Sequence, residues 1–170
     1  LIYLNMVGGQ DDQVFDGASF ALNPGGELAV QLPQFQECVE TITLEQTAEG
    51  WRIQTARKDK IPDTYEADYH AMVLSLRDYC RKSGFGRVLL GLSGGVDSAI
   101  VATIAADALG ADKVRCVMLP SEYTSQASLD DAKELAQTLG CRYDFVPISE
   151  GRSAITNTLT PLFEGTKPDL

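Results

Sequence analysis

The spacing of apolar residues changes character once along this chain. Up to about residue 50 they come in short runs broken by turn formers: Leu1-Ile2-Tyr3-Leu4, Val14 to Leu22, Glu27 to Leu32, and Val39 to Leu44, where Ile42 and Leu44 share a face opposite threonines. Such runs predict half-buried strands, and Asn23-Pro24-Gly25-Gly26 between two of them predicts a hairpin turn. Antiparallel strands this short rarely stand alone, so residues 1–50 are expected to end a larger layer. Trp51 to Pro62 is mixed and charged and reads as a linker, 51–62.

From Asp63 the period becomes helical. Tyr69, Met72, Val73, Leu76 and Cys80 recur at three and four, with Asp63 and Glu66 as a capping box and Gly84 as the stop, which predicts a core-facing helix. Strands and helices then alternate: strand Val88 to Leu92, helix Ser98 to Leu109, strand Val114 to Leu119, helix Gln126 to Leu139, strand Arg142 to Pro147, helix Ser149 to Phe163. Strand starts at 88, 114 and 142 fit the ~30-residue repeat of βαβ units. The expected fold class is therefore α/β, with an open parallel sheet of Rossmann type in residues 63–170 and helices on both of its faces. Leu1 falls inside a strand pattern and Pro168-Asp169-Leu170 follows a helix without closing it, so the chain is expected to be an internal piece of a longer protein.

Composition narrows the function classes. The chain has 170 residues, 44% of them hydrophobic, enough for a packed core. A net charge of -10 without a Lys/Arg cluster disfavours a grip on nucleic acid. No apolar run reaches the ~18 residues of a membrane span, and no signal peptide is visible, so a cytoplasmic location is expected. Cys38, Cys80, Cys116 and Cys141 are far apart with no CxxC and read as core thiols. His70 reads as a surface histidine, and Asp11, Asp12 and Asp16 as turn formers. No residue is assigned a catalytic role.

Chemistry concentrates in Gly91-Leu92-Ser93-Gly94-Gly95-Val96-Asp97-Ser98, where an apolar strand gives way to a helix. Two glycines let backbone approach a ligand, and the N–H groups and dipole at a helix start favour phosphate. On that reading valine at Gly94 or Gly95 would block the phosphate and spare the fold. Ser93 and Ser98 add hydroxyl donors. Asp97 would be repelled by phosphate unless it held a magnesium ion, Mg2+, between them; the bland reading makes it a helix cap. Neither a P-loop nor a dinucleotide GxGxxG fits these residues.

Ser93 to Ser98 resembles the SGGxDS signature of the ATP pyrophosphatase superfamily. That resemblance implies ATP and Mg2+ as cofactors, with AMP passed to a carboxylate or carbonyl oxygen and pyrophosphate released. Met118-Leu119-Pro120-Ser121-Glu122-Tyr123-Thr124-Ser125, Asp131-Ala132 and Leu139-Gly140 resemble NAD synthetases, which implies that backbone at Leu119 meets adenine. Asn5, Gly8-Gly9-Gln10-Asp11, Phe15-Asp16-Gly17 and Ser19 are similar to the late part of a nitrilase-type glutaminase domain fused ahead of such synthetases. Residues 1–50 would then end an αββα sandwich, and 63–170 would begin the synthetase part. The glutaminase Glu, Lys and Cys are expected upstream of Leu1 and the remaining synthetase residues beyond Leu170, so the chain by itself is expected to be inactive. The implied partners are deamido-NAD, glutamine or ammonia, and further copies of the same chain, with no nucleic acid and no membrane. A GMP-forming or tRNA-modifying relative and a non-catalytic ATP-binding module are the alternatives. Removing everything before Asp63 is expected to spare synthesis from ammonium salts and abolish synthesis from glutamine.

Overall fold

A computed structural model describes residues 1–165; Pro168-Asp169-Leu170 and the end of the expected 63–170 segment lie outside the described residues. The chain forms two compact units, Leu1–Gly86 and a second that begins at Arg87.

The first unit contains strands β1 (Ile2–Tyr3), β2 (Val7–Gln10), β3 (Gln13–Asp16), β4 (Phe20–Leu22), β5 (Leu28–Gln31), β6 (Leu44–Thr47) and β7 (Gly50–Ile53), then helix α1 (Thr64–Ser83). β1, β4 and β5 form an antiparallel sheet in the order β1-β4-β5, and β2–β3 and β6–β7 are hairpins. The Asn23 turn joins β4 to β5 as expected, with φ +83° at both Gly25 and Gly26. Asn23 itself is buried. Its side-chain oxygen accepts from the Ile53 N–H at 2.7 Å and its amide donates to the Ile53 carbonyl at 3.0 Å, so one side chain pairs with β7 as a strand would. Around it lie Ala21, Ala29, Val30 and Ile53, with Leu32 and Ile42 packed on.

Two expectations shift in this unit. The strand anticipated at Val39 to Leu44 forms later, at Leu44–Thr47, leaving Val39 exposed. The Thr47 hydroxyl donates to the Gly50 carbonyl at 2.8 Å and Gly50 takes φ +111°, so the turn sets the register instead of the apolar pattern. Residues 56–59, within the stretch read as a linker, lie along β5: Ala56 N donates to Ala29 O, Gln31 N to Arg57 O, and Asp59 N to Gln31 O.

α1 begins and ends where its caps dictate. The Asp63 carboxylate accepts from the Glu66 N–H at 3.0 Å, and Gly84 turns left-handed while Phe85 N returns to Cys80 O. Of the expected face Val73 and Cys80 are buried, Tyr69 and Leu76 partly buried and Met72 exposed, while Leu74 and Asp78 are buried beside them. Asp78 is drawn in by β2. A Cβ on Gly9 would lie 3.3 Å from the Ser75 Cα, so glycine lets the helix close in, and Asp78, 5% exposed, accepts from the Gly9 N–H at 2.9 Å. Arg81 pairs with the same carboxylate at 3.1 Å, and the Lys82 ammonium donates to the Gly9 carbonyl.

The second unit is a βα alternation: β8 (Val88–Gly91), α2 (Val96–Leu109), β9 (Val114–Met118), α3 (Gln126–Leu139), β10 (Arg142–Phe145) and α4 (Ser149–Leu159), followed by a 3-10 turn, Thr160–Phe163. The strands are parallel in the order β10-β9-β8. Leu92, Val114, Cys116 and Met118 are buried on one face beneath α2 and α3, whose Ala102, Ala105, Ala132 and Ala136 allow close approach. The expectation that both faces are covered does not hold among the described residues. The opposite row, Leu89, Arg115 and Arg142, is open, with Leu89 65% exposed. There Arg115 pairs with Asp144 at 2.5 Å and Arg142 with the same carboxyl at 3.3 Å. The hydrogen bond from Arg115 holds the Asp144 carboxyl below its ordinary pKa. On this face β9 contributes Arg115 beside Val117, and β10 Arg142 and Asp144, so the apolar run of β8 is continued only at Val117. No described helix is long and apolar enough to cross a membrane.

Candidate functional site

Leu92, fully buried, donates its N–H to the Val117 carbonyl and anchors the end of β8. The chain then turns at Gly94, φ +81°, and enters α2 through Gly95 as N-cap. Hydroxyls hold this turn together. Ser98 Oγ accepts from Ser93 N at 3.2 Å, donates to Gly95 O at 2.9 Å and lies 3.0 Å from Ser93 Oγ, which accepts from Gly95 N at 3.3 Å. The two serines therefore shape the loop as well as offering ligand donors. Asp63 and Ser125 cap α1 and α3 with side chains, whereas α2 has no side-chain cap. Its first-turn N–H groups keep their hydrogen-bonding capacity and the positive end of the dipole. Asp97 stands exposed in that turn and makes no hydrogen bond or ion pair with any described residue, so it is not the cap.

The two loop glycines prove different. A Cβ on Gly94 would lie 2.3 Å from the Ser128 carbonyl oxygen, so this glycine is required by the approach of α3 as well as by its positive φ. That corrects the expectation that valine there would spare the fold. Gly95 has an ordinary φ of -89°, and a Cβ would meet only Ser93 Oγ at 3.4 Å. Gly91 likewise has nothing within 4 Å of a Cβ. Packing among the described residues gives no reason for glycine at either position.

Leu119 lies just past β9, half exposed beside buried Met118, and no described residue hydrogen-bonds its backbone. Val146 N and Ile148 N donate to the carbonyls of Met118 and Pro120 on either side of it. Leu119 and the Ser93–Ser98 loop therefore both occupy the carboxyl end of the parallel sheet, where open α/β sheets take ligands. The sequence reading passed over Arg152 of α4, whose side chain reaches Glu122 and Tyr123 in the same region; no motif marks it.

The remaining candidates stay outside the site. Cys80, Cys116 and Cys141 are buried as expected, but Cys38 is exposed and is not a core thiol. Burial, with Cys141 nearby, pushes the Cys116 thiol up to about 11, which makes it a poor nucleophile at neutral pH. His70 is half exposed beside Phe35, 3.9 Å from Glu66. Among the described residues no three metal-binding side chains cluster.

A family model described as NAD synthase matches residues 68–167, more than half of the chain. The chain belongs to the NAD synthase family. It is 61% identical over 170 residues to the glutamine-dependent NAD(+) synthetase of Rhodobacter capsulatus, all of this chain against 31% of that one. The Acinetobacter baylyi enzyme of the same name is 45% identical over 169 residues, 99% of this chain and 31% of that one. The chain thus spans about a third of the length of these relatives. Among solved structures, glutamine-dependent NAD+ synthetase from Acinetobacter baumannii, in complex with ADP, superposes with a TM-score of 0.93 at 39% identity, covering 99% of this chain and 32% of that one. An NH3-dependent NAD synthetase from Campylobacter jejuni matches 62% of this chain and 44% of its own, with a TM-score of 0.51 at 28% identity. The NAD synthase match begins inside α1, a helix that packs within the first compact unit.

Proposed function

We propose that this chain is the middle part of a glutamine-dependent NAD synthetase, in which ATP adenylates the carboxylate of deamido-NAD and ammonia from glutamine displaces AMP to give the amide. Adenylation is chemically necessary because a free carboxylate repels a nucleophile and holds its oxygen tightly. In this reading residues 1–50 end a nitrilase-like glutaminase sandwich, 51–62 connect it, and 63–170 begin a synthetase domain of ATP pyrophosphatase type. The NAD synthase match favours it over a GMP-forming or tRNA-modifying relative.

Gly95 is the observation that carries the reading. Among the described residues it is a glycine without a packing reason, at the mouth of a helix with no side-chain cap, the place where a phosphate needs backbone within reach. The N–H groups of the first turn of α2 would bind the phosphate oxygens, the Ser93–Ser98 hydroxyl pair would fix the loop around them, and the Leu119 backbone would meet the adenine edge. An exposed, unengaged Asp97 fits Mg2+, which keeps several waters and takes only one or two carboxylates beside substrate phosphates. When bound, the ion supplies positive charge at the departing pyrophosphate. Asp97→Ala in the intact protein should weaken magnesium-dependent ATP binding by at least about tenfold. Unchanged binding in a calorimetric titration would remove the metal role.

A further inference from the structure

Besides the hydrogen bond from Ile148 N to the Pro120 carbonyl, the loop that follows β9 is held from the α4 side by the side chain of Arg152. Arg152, in the second turn of α4, pairs with the Glu122 carboxylate, places its guanidinium 4.8 Å from the centre of the Tyr123 ring and donates to the Tyr123 hydroxyl at 3.2 Å. Inside the loop, Ser121 N donates to Thr124 Oγ1 and Thr124 N to Ser121 O, at 3.0 and 3.1 Å. The loop joins Leu119 to the start of α3, where Ser125 caps Ser128, the residue that abuts Gly94. A shift at residues 121–124 therefore moves both neighbours of the nucleotide in the proposed site, the Leu119 backbone and the wall behind Gly94.

Two physical roles compete for Arg152. The other described cations of the second unit stand elsewhere: Arg87, Lys113, Arg115 and Arg142 at the amino ends of the strands, and Lys133 halfway along α3. Arg152 is thus the described cation of this unit at the carboxyl end of the sheet, and simple attraction to an anionic ligand there would suffice to make it matter. Its geometry argues otherwise. The guanidinium is committed to a carboxylate, a ring face and a hydroxyl at once, which suits a planar fork used as a brace. We propose that Arg152 is a positioning residue for the nucleotide, acting through Glu122 and Tyr123 to hold the Leu119–Ser125 loop in the shape that receives adenine. This rests on the function proposed above.

Glu122→Gln separates the two roles by sign. Removing a negative charge near an anionic ligand should tighten ATP if attraction governs, but loosening the brace should weaken it. In the full-length enzyme supplied with ammonium, Glu122→Gln is expected to raise the KM for ATP about two- to threefold, and Arg152→Ala about five- to tenfold. The kcat and the KM for deamido-NAD should stay unchanged. Preference for ATP over GTP should fall by similar factors, because the base edge is what the loop presents. Arg152→Lys keeps the charge and loses the fork, so it should resemble Arg152→Ala. A lower KM for ATP in Glu122→Gln, full rescue by lysine, or a loss confined to kcat would each overturn the brace. Gly95→Val in the same assay keeps the two proposals apart: normal pyrophosphate release there would sink the nucleotide site itself, whereas a dead Gly95→Val beside an unaffected Glu122→Gln would sink only the role of Arg152.

Discussion

Gly94 and Gly95 are adjacent and chemically identical, yet the structure gives them different reasons to exist. Alanine at Gly94 must adopt φ +81° and meet the Ser128 backbone, so it should destabilise the second unit by at least ~2 kcal/mol. Alanine at Gly95 should leave stability within ~0.5 kcal/mol but lower turnover about a hundredfold if phosphate lies against that backbone. Thermal unfolding and pyrophosphate release, measured on both variants, check the pair of outcomes; wild-type turnover in Gly95→Ala would mean that the open space there is idle. The loop was legible in the sequence because its glycines, hydroxyls and carboxylate are contiguous. The distinction between the glycines was not, since Ser128 is distant in sequence and nothing local announces it. Thiols divide as sharply. Iodoacetamide at pH 8 should modify exposed Cys38 and spare Cys116, whose neutral form burial favours, until the protein unfolds, and peptide mapping by mass spectrometry reads the difference.

Among the elements, α1 best shows what a pattern can and cannot say. Its limits were readable from Asp63 and Gly84, because caps are local chemistry. Its orientation was readable in part: Val73 and Cys80 of the apolar stripe are buried, but Met72 is exposed and Asp78 is buried on the Gly9 N–H, a preference set by a backbone group in a distant strand. Asp78→Ala leaves that N–H without its acceptor and Arg81 without its partner. It is expected to cost the first unit ~2–4 kcal/mol, seen as an earlier calorimetric transition. Asp78→Asn keeps an acceptor and should cost less; equal losses would show that charge alone holds the helix. The β8–β10 sheet teaches the converse. An apolar run at Val88 to Leu92 suggested cover on both faces, whereas among the described residues one face is open and carries Arg115 and Arg142 paired with Asp144.

For the molecule as a whole, the division at Gly86 changes what a deletion reports. A chain begun at Asp63 keeps α1 and discards β2 and β3, against which that helix packs, so Asp78 loses its N–H partner. Such a protein should be poorly soluble and lose synthesis from ammonium as well as from glutamine. Cleavable insertions between Gly84 and Arg87, which leave both units entire, should spare the ammonium reaction. Assays with each nitrogen source decide, and full ammonium activity in the Asp63 deletion would show that α1 holds without β2. The same division has a meaning in time. Each unit is one continuous stretch of chain, so α1 can dock on β2 while the parallel sheet is still being made. At ~5–20 residues per second the ribosome needs several more seconds to deliver the last of its strands, β10. The glycine pair at Gly8-Gly9 can therefore be claimed by Asp78 before the second sheet is complete and able to compete for that backbone.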